Sequence, residues 1–294
     1  MLETRFVPQL GRTVTRLGLG TLPMGPLQRS LSVEEGARVV RTAVEGDITF
    51  IDTATLYGTY EPIARGLKGW RGPVTLATKT HAKTDRALAE KHIETALKEL
   101  GWDTIDIMLC HCARQRFIEA EWGPTLEALV AARAKGLVRM VGMSTHTVAG
   151  VLDAARHPEM DVIHPLINLK GMGIIDGGVE EMLAAIREEA LRFIFGIEEL
   201  DAVVVGMVTP LEVEWNLRFA AGRPIPADLA RDTTLSTKRL SIVALACEGC
   251  GECVEHCENN ALSVVEGKAT VDHERCILCG YCAPHCQRLA IRMV

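Results

Sequence analysis

From Arg5 to about Phe219 the chain alternates short apolar runs with longer amphipathic stretches. Seven runs rich in aliphatic and β-branched residues read as strands: Leu17–Thr21, Thr49–Thr53, Val74–Lys79, Asp106–His111, Arg139–Ser144, Asp161–Ile167 and Ala202–Met207. The text between them carries helix signals. Ser32-Val33-Glu34-Glu35 is a capping box, and Val33, Ala37, Val40 and Val44 then share one face. Asp85 caps a helix that turns Ile93, Leu97 and Leu100 inward and stops at Gly101. Thr125–Lys135 sets Leu126, Leu129 and Val130 on one side before Gly136, and Thr147–Arg156 repeats the scheme with Val148, Val151, Leu152 and Ala155. Repeated β-then-α units of about 30 residues with nearly all-apolar strands predict a parallel sheet, either closed as a (β/α) barrel or doubly wound.

Between Gly222 and Lys238 the periodicity ends in Gly-Arg-Pro-Ile-Pro-Ala-Asp and a run of Thr and Ser. Residues 1–221 are therefore expected to form one domain, 222–240 a linker and 241–294 a small second domain. No apolar run approaches the ~20 residues that span a bilayer. Met1-Leu2-Glu3-Thr4-Arg5 leads into no secretory apolar core, so a cytoplasmic protein is expected. A net charge of −6 argues against nucleic acid as a partner.

Cysteine distribution changes the picture of the second domain. Of ten cysteines, eight lie between Cys247 and Cys286. In a reducing compartment such clustering points to metal rather than disulfides. They form two blocks, Cys247-x-x-Cys250-x-x-Cys253-x-x-x-Cys257 and Cys276-x-x-Cys279-x-x-Cys282-x-x-x-Cys286. Three thiolates at this spacing wrap a four-iron cubane, and the fourth ligand comes from the other block. The expected sets are Cys247, Cys250, Cys253 with Cys286, and Cys276, Cys279, Cys282 with Cys257. The rival is structural zinc, which prefers two CxxC pairs to four cysteines per block. The region resembles bacterial two-cluster ferredoxins, including the strand-like tails Ala261–Val264 and Ala290–Met293. It departs from them at Glu258 and Gln287, where the family usually has Pro after the fourth cysteine.

Four polar residues fall at or just beyond successive strand ends: Asp52, Tyr57, Lys79 and His111. In a barrel, all strand C-termini open on the face where active sites are built. Singly, Asp52 reads as a turn cap and Lys79 as a strand-end charge; four together read as a proton-donor site. A Lys ammonium beside a phenol favours the phenolate, Asp keeps the Lys charged and placed, and His orients a carbonyl oxygen. Cys110 and Cys112 flank His111 and are expected to pack on the opposite side of the strand.

Over about residues 5–220 the chain resembles the aldo-keto reductases. The resemblance rests on Arg16-Leu17-Gly18-Leu19-Gly20-Thr21, Phe50-Ile51-Asp52-Thr53-Ala54 with Tyr57-Gly58, Leu76-Ala77-Thr78-Lys79, Asp106–His111 and Val141-Gly142-Met143-Ser144. It implies a (β/α)8-type TIM barrel, closed below by an N-terminal hairpin turned at Gly11-Arg12, and an Asp52–Tyr57–Lys79–His111 tetrad. It also implies a nicotinamide cofactor lying across the top against Thr21, Asp52, Ser144, Met207, Thr209, Glu212 and Asn216. Ser144 matches the residue that holds the carboxamide, with Thr145 in place of its usual Asn neighbour. Glu212 stands where the family often carries an Arg for the 2′-phosphate, so NAD is expected over NADP. Between Asn168 and Ala202 the text reads as one helical stretch, Val179–Phe195, where a full barrel needs helix, strand and helix; strand 7 is expected to be missing.

The expected protein is thus an α/β oxidoreductase, a barrel lacking strand 7 fused to an α+β ferredoxin-like domain with two [4Fe–4S] clusters. It would reduce a small carbonyl compound, or oxidise the alcohol, and pass electrons to a redox partner protein. The alternative is an electron-transfer protein whose barrel has lost nicotinamide chemistry and serves as a docking scaffold.

Overall fold

The computed structural model describes residues 1–113, 119–145, 148–165, 200–226, 229, 240–257, 259–276, 282–286, 288 and 290–293. The stretch 166–199, including the expected helix Val179–Phe195 and the place of the seventh strand, lies outside the described residues, as do Cys279, Glu258 and Gln287. Two compact units form, Met1–Met24 with Leu31–Thr233, and Gly25–Ser30 with Thr234–Val294.

In the larger unit a hairpin comes first, β1 (Thr4–Val7) pairing antiparallel with β2 (Arg12–Thr15) around Gly11 at φ 64°. Seven parallel strands follow: β3 (Leu17–Gly20), β4 (Phe50–Asp52), β5 (Thr75–Thr80), β6 (Ile105–Ala113), β7 (Val138–Thr145), β8 (Val162–Pro165) and β9 (Val203–Gly206). Their order is β8-β7-β6-β5-β4-β3-β9, so every expected strand is present and β9 pairs back onto β3. Among the described residues the sheet is a curled half-barrel whose edges are β8 and β9.

Helices α1 (Val33–Glu45), α2 (Tyr60–Leu67), α3 (Arg86–Leu100), α4 (Glu119–Ala134), α5 (Val148–Ala154) and α6 (Pro210–Ala220) connect or follow the strands. The Ser32–Glu35 capping box closes on both sides, and Asp85 accepts the Leu88 N–H. The core between sheet and helices takes the outward residues of each strand, among them Ile51, Leu76, Met108, Cys110 and Met143. Burial pushes the Cys110 thiol up to about 12, an inert packing residue as expected. The inward residues Ala77, Ile107, Leu109 and Met140 pack with Phe50 and Val162, and Val7 and Leu10 of the hairpin plug this layer. Gly142 belongs here for a steric reason: a Cβ on it would lie 2.0 Å from the Val162 carbonyl oxygen.

The hairpin is pinned below the sheet by charge. Arg12 pairs with buried Asp106 and donates from Nε to Thr75 Oγ1 at 3.1 Å, while Asp106 also accepts the Leu76 N–H at 2.9 Å. The smaller unit contains β10 (Leu240–Ile242) paired antiparallel with β13 (Ile291–Met293), and the hairpin β11 (Leu262–Val265) with β12 (Lys268–Val271). Its core is Leu240, Leu262, Ala290 and Ile291 around cysteines.

Candidate functional site

Strand alternation assembles the first site. Along β4, β5, β6, β7 and β8 the inward rows run Phe50-Asp52, Ala77-Lys79, Leu109-His111, Gly142-Ser144 and Val162-His164. Each row is apolar in the barrel and ends in a polar side chain at the C-terminal mouth. The mouth is therefore lined by Asp52, Lys79, His111, Ser144 and His164.

Lys79 Nζ lies 2.6 Å from both Asp52 oxygens and donates to the Thr53 carbonyl at 2.8 Å. Its other side faces Tyr57, 5.0 Å from the ring centroid. Tyr57 follows β4 on a single 3-10 turn, Thr55–Tyr57, and meets the His111 ring edge-on at 5.6 Å. Asp52, Tyr57, Lys79 and His111 are 4%, 5%, 3% and 5% exposed. An ion pair buried this deeply persists only when both partners are also hydrogen-bonded, and here the Thr53 carbonyl takes part of that load. Beneath it runs a chain of buried hydroxyls: Thr21 donates to the Asp52 carbonyl at 3.0 Å and lies 2.9 Å from Thr59, itself 2.7 Å from Thr53.

His164 is a residue the sequence reading passed over. Its Nδ1 is 3.5 Å from Asp52 Oδ1, although β8 and β4 are separated by three strands in the sheet. Only curling of the sheet makes that contact. The signal was present as Val162-x-His164, an apolar-then-polar row like Ala77-x-Lys79, but it lay inside the expected strand Asp161–Ile167 and not at its end.

The remaining residues expected at a cofactor are placed differently from one another. Ser144 stands at the mouth, in register with His164. Thr21 is fully buried with its hydroxyl engaged as above, and the Met207 side chain lies in the core between sheet and helices. Thr209 caps α6 by accepting the Glu212 N–H at 3.1 Å, and the Glu212 carboxylate returns to the Val208 N–H at 2.7 Å. Glu212 thus holds the backbone donor just ahead of its own helix cap. Asn216 donates to the Glu212 carbonyl at 2.7 Å, and its buried Oδ1 has no protein partner among the described residues.

The second site is a cavity of about 170 Å³ in the smaller unit, lined by Cys247, Cys250, Cys253 and Cys286. Burial first, and then the neighbouring sulfurs of Cys247, Cys250 and Cys286, hold the Cys253 thiol above its ordinary value. Backbone N–H groups point at the sulfurs: Ala269 at Cys247 and Ala290 at Cys286, each at 3.2 Å. Four converging thiols with amide donors are the donor set a [4Fe–4S] cluster takes, and the residues present fit it. Of the other four, Cys257 accepts the Ala261 N–H at 3.2 Å, Cys282 is buried and Cys276 half-buried.

Residues 16–170 match the model of the aldo/keto reductase family, and residues 246–290 match that of the 4Fe-4S dicluster domain. The chain belongs to the aldo/keto reductase family. It is an oxidoreductase with a TIM-barrel-like fold, joined to a dicluster domain of the iron–sulfur type. Similar curated proteins include 2,5-diketo-D-gluconic acid reductase B of Corynebacterium sp. (strain SHS752001), 28% identical over 74% of this chain and 79% of that protein. Among solved structures, a Pseudomonas aeruginosa protein assigned to the aldo-keto reductases is 26% identical, with a TM-score of 0.62 over 74% of this chain and 94% of that one. A Bombyx mori aldo-keto reductase solved with NADP shares the fold at 17% identity, with a TM-score of 0.55 over 78% and 91% of the two chains. No helix among the described residues is long and apolar enough to cross a membrane.

Proposed function

We propose that the half-barrel reduces a small carbonyl compound, or oxidises the alcohol in reverse, with a nicotinamide dinucleotide as its two-electron partner, and that the dicluster domain separately relays single electrons between redox partner proteins. The observation that carries this reading is the buried Lys79–Asp52 pair held against Tyr57 at the barrel mouth. Tyr57 holds the proton that the carbonyl oxygen receives. Lys79 favours the phenolate left behind, because a cation close to a phenol in a water-poor site stabilises the charged form. Asp52 grips Lys79 through both oxygens, keeping it charged and aimed. His111, edge-on to Tyr57, orients the carbonyl oxygen. A nicotinamide bound at this mouth would supply a hydride for the carbonyl carbon, and clusters held by the cysteine blocks would supply one-electron transfer.

Asp52, Ser144, Thr209, Glu212 and Asn216 are the residues assigned to hold the dinucleotide, while Thr21 and Met207, with side chains buried in the fold, are assigned to support them from behind. The Oδ1 of Asn216, which has no partner among the described residues, suits an amine donor. At the start of α6 a 2′-phosphate would meet the Glu212 carboxylate where backbone N–H groups would otherwise receive it, so NADH is favoured over NADPH. The clusters are assigned to Cys247, Cys250, Cys253 with Cys286, and to Cys276, Cys279, Cys282 with Cys257. The domains assigned are 1–221 and 241–294, joined by 222–240.

The test is anaerobic titration of the cluster-replete chain with NADH and with NADPH, followed by nicotinamide fluorescence. NADH should bind more tightly, and Glu212→Arg should shift the ratio toward NADPH by about tenfold, equal to about 1.4 kcal/mol. Tight NADPH binding by the unsubstituted chain sinks the preference. Binding of neither would favour the docking-scaffold reading.

A further inference from the structure

The first cysteine block is clamped by the β11–β12 hairpin. Gly249, at φ 69°, sits so close to the hairpin tip that a Cβ would lie 2.2 Å from the Gly267 carbonyl oxygen. This contact carries the first residue of β12 to the cluster cavity. Lys268 Nζ donates to the Cys247 carbonyl at 2.6 Å, and the next residue, Ala269, points its N–H at the Cys247 sulfur.

The surrounding charges are not symmetrical. Glu248 is paired with Arg288 at 2.7 Å, and Glu252, also at the cavity, is about half exposed. Lys268 has no carboxylate partner among the described residues. Among the described residues Lys268 is thus a cation in direct contact with a cysteine of this cavity and not offset by a carboxylate of its own.

A cluster on four thiolates gains a negative charge when reduced, and a fixed cation beside it favours that state. We propose that Lys268 is a potential-setting residue, raising the reduction potential of the cluster held by Cys247, Cys250, Cys253 and Cys286. The proposal rests on reading that cavity as a cluster site. Lys268 is itself exposed, so its effect is open to screening by salt. The same ammonium also ties down the Cys247 carbonyl, and the test must separate that structural role from the effect of charge.

Redox titration of the whole chain, followed by electron paramagnetic resonance, makes the separation. Lys268→Gln keeps a donor for the carbonyl and removes the charge; Lys268→Glu reverses it; Lys268→Arg restores it. At fixed poise the reduced-to-oxidised ratio of one cluster should fall severalfold in the Gln variant and about tenfold in the Glu variant, 59 mV for a one-electron couple. The Arg variant and the second cluster should stay at wild-type values. Unmoved potentials in variants that keep their iron overturn the proposal, and so does an equal shift of both clusters. If the Glu variant loses iron, the Gln variant decides. The gap between its potential and that of the wild type should shrink as ionic strength rises, because salt screens the charge that distinguishes them. A gap that does not change counts against Lys268. A wild-type chain without iron overturns the cluster reading itself, and the proposal with it.

Discussion

Asp52, Tyr57, Lys79 and His111 come from three separate β-units, and all are buried. Cys247, Cys250 and Cys253 come from one short segment, Cys250 is exposed, and Cys286 arrives from a distant part of the chain. The barrel site is held by what surrounds it: parallel hydrogen bonds, a packed layer beneath and a hydroxyl chain below the ion pair. The cysteine site has one small core and few regular elements, so the group it binds must supply much of its stability. The contrast teaches where each site is vulnerable. One fails when a buried charge loses its partner; the other fails when its metal is removed.

The harshest test of the contrast is chelation. Stripping iron anaerobically should abolish hydrogen-exchange protection across 240–293 and leave β3–β9 protected. Equal loss in both units would erase the distinction drawn here. Next is Tyr57→Phe, which removes one hydroxyl from a packed ring. Turnover should fall by about 10²–10⁴-fold, with the unfolding midpoint close to wild type. A large stability loss would mean that the ring site is structural first.

Asp52→Ala leaves the Lys79 ammonium buried without its carboxylate. The expected cost is about 3–5 kcal/mol in urea unfolding of the barrel, and the double variant with Lys79→Met should recover much of it. Additive losses would show that the two charges are not coupled. The smallest effect concerns the helix layer. Burial first, then the neighbouring His81, lowers His92 to about 4, and its Nδ1 lies 2.7 Å from Thr80 Oγ1. As pH falls from about 6.5 toward 4 the unfolded chain takes a proton on this residue and the folded chain does not, so barrel stability declines. His92→Gln should flatten that decline in a series of melting curves; an unchanged slope would assign it to other groups.

All seven parallel strands and the starts of α1 and α3 were legible in the sequence, because each depends on interactions within a few residues: alternation, caps and stop glycines. The eight cysteines were legible for the same reason, since ligand spacing is written along the chain. Thr209-x-x-Glu212 was equally local, yet it was read as a cofactor contact, although a carboxylate three residues after a Thr cap is also a capping signal. What the chain could not announce is which residues meet across the barrel. His164 reaches Asp52 only because the sheet curls, and Lys79 lies between Asp52 and Tyr57 only because β4 and β5 pair in a register that aligns Asp52 with Ala77. Lys268 at the Cys247 carbonyl depends likewise on a hairpin folding back on a glycine loop. Local sequence fixes elements through short-range sterics and hydrogen bonds, whereas the partners of a charge are fixed by how whole elements pack, and that packing is summed over many residues far apart in the chain.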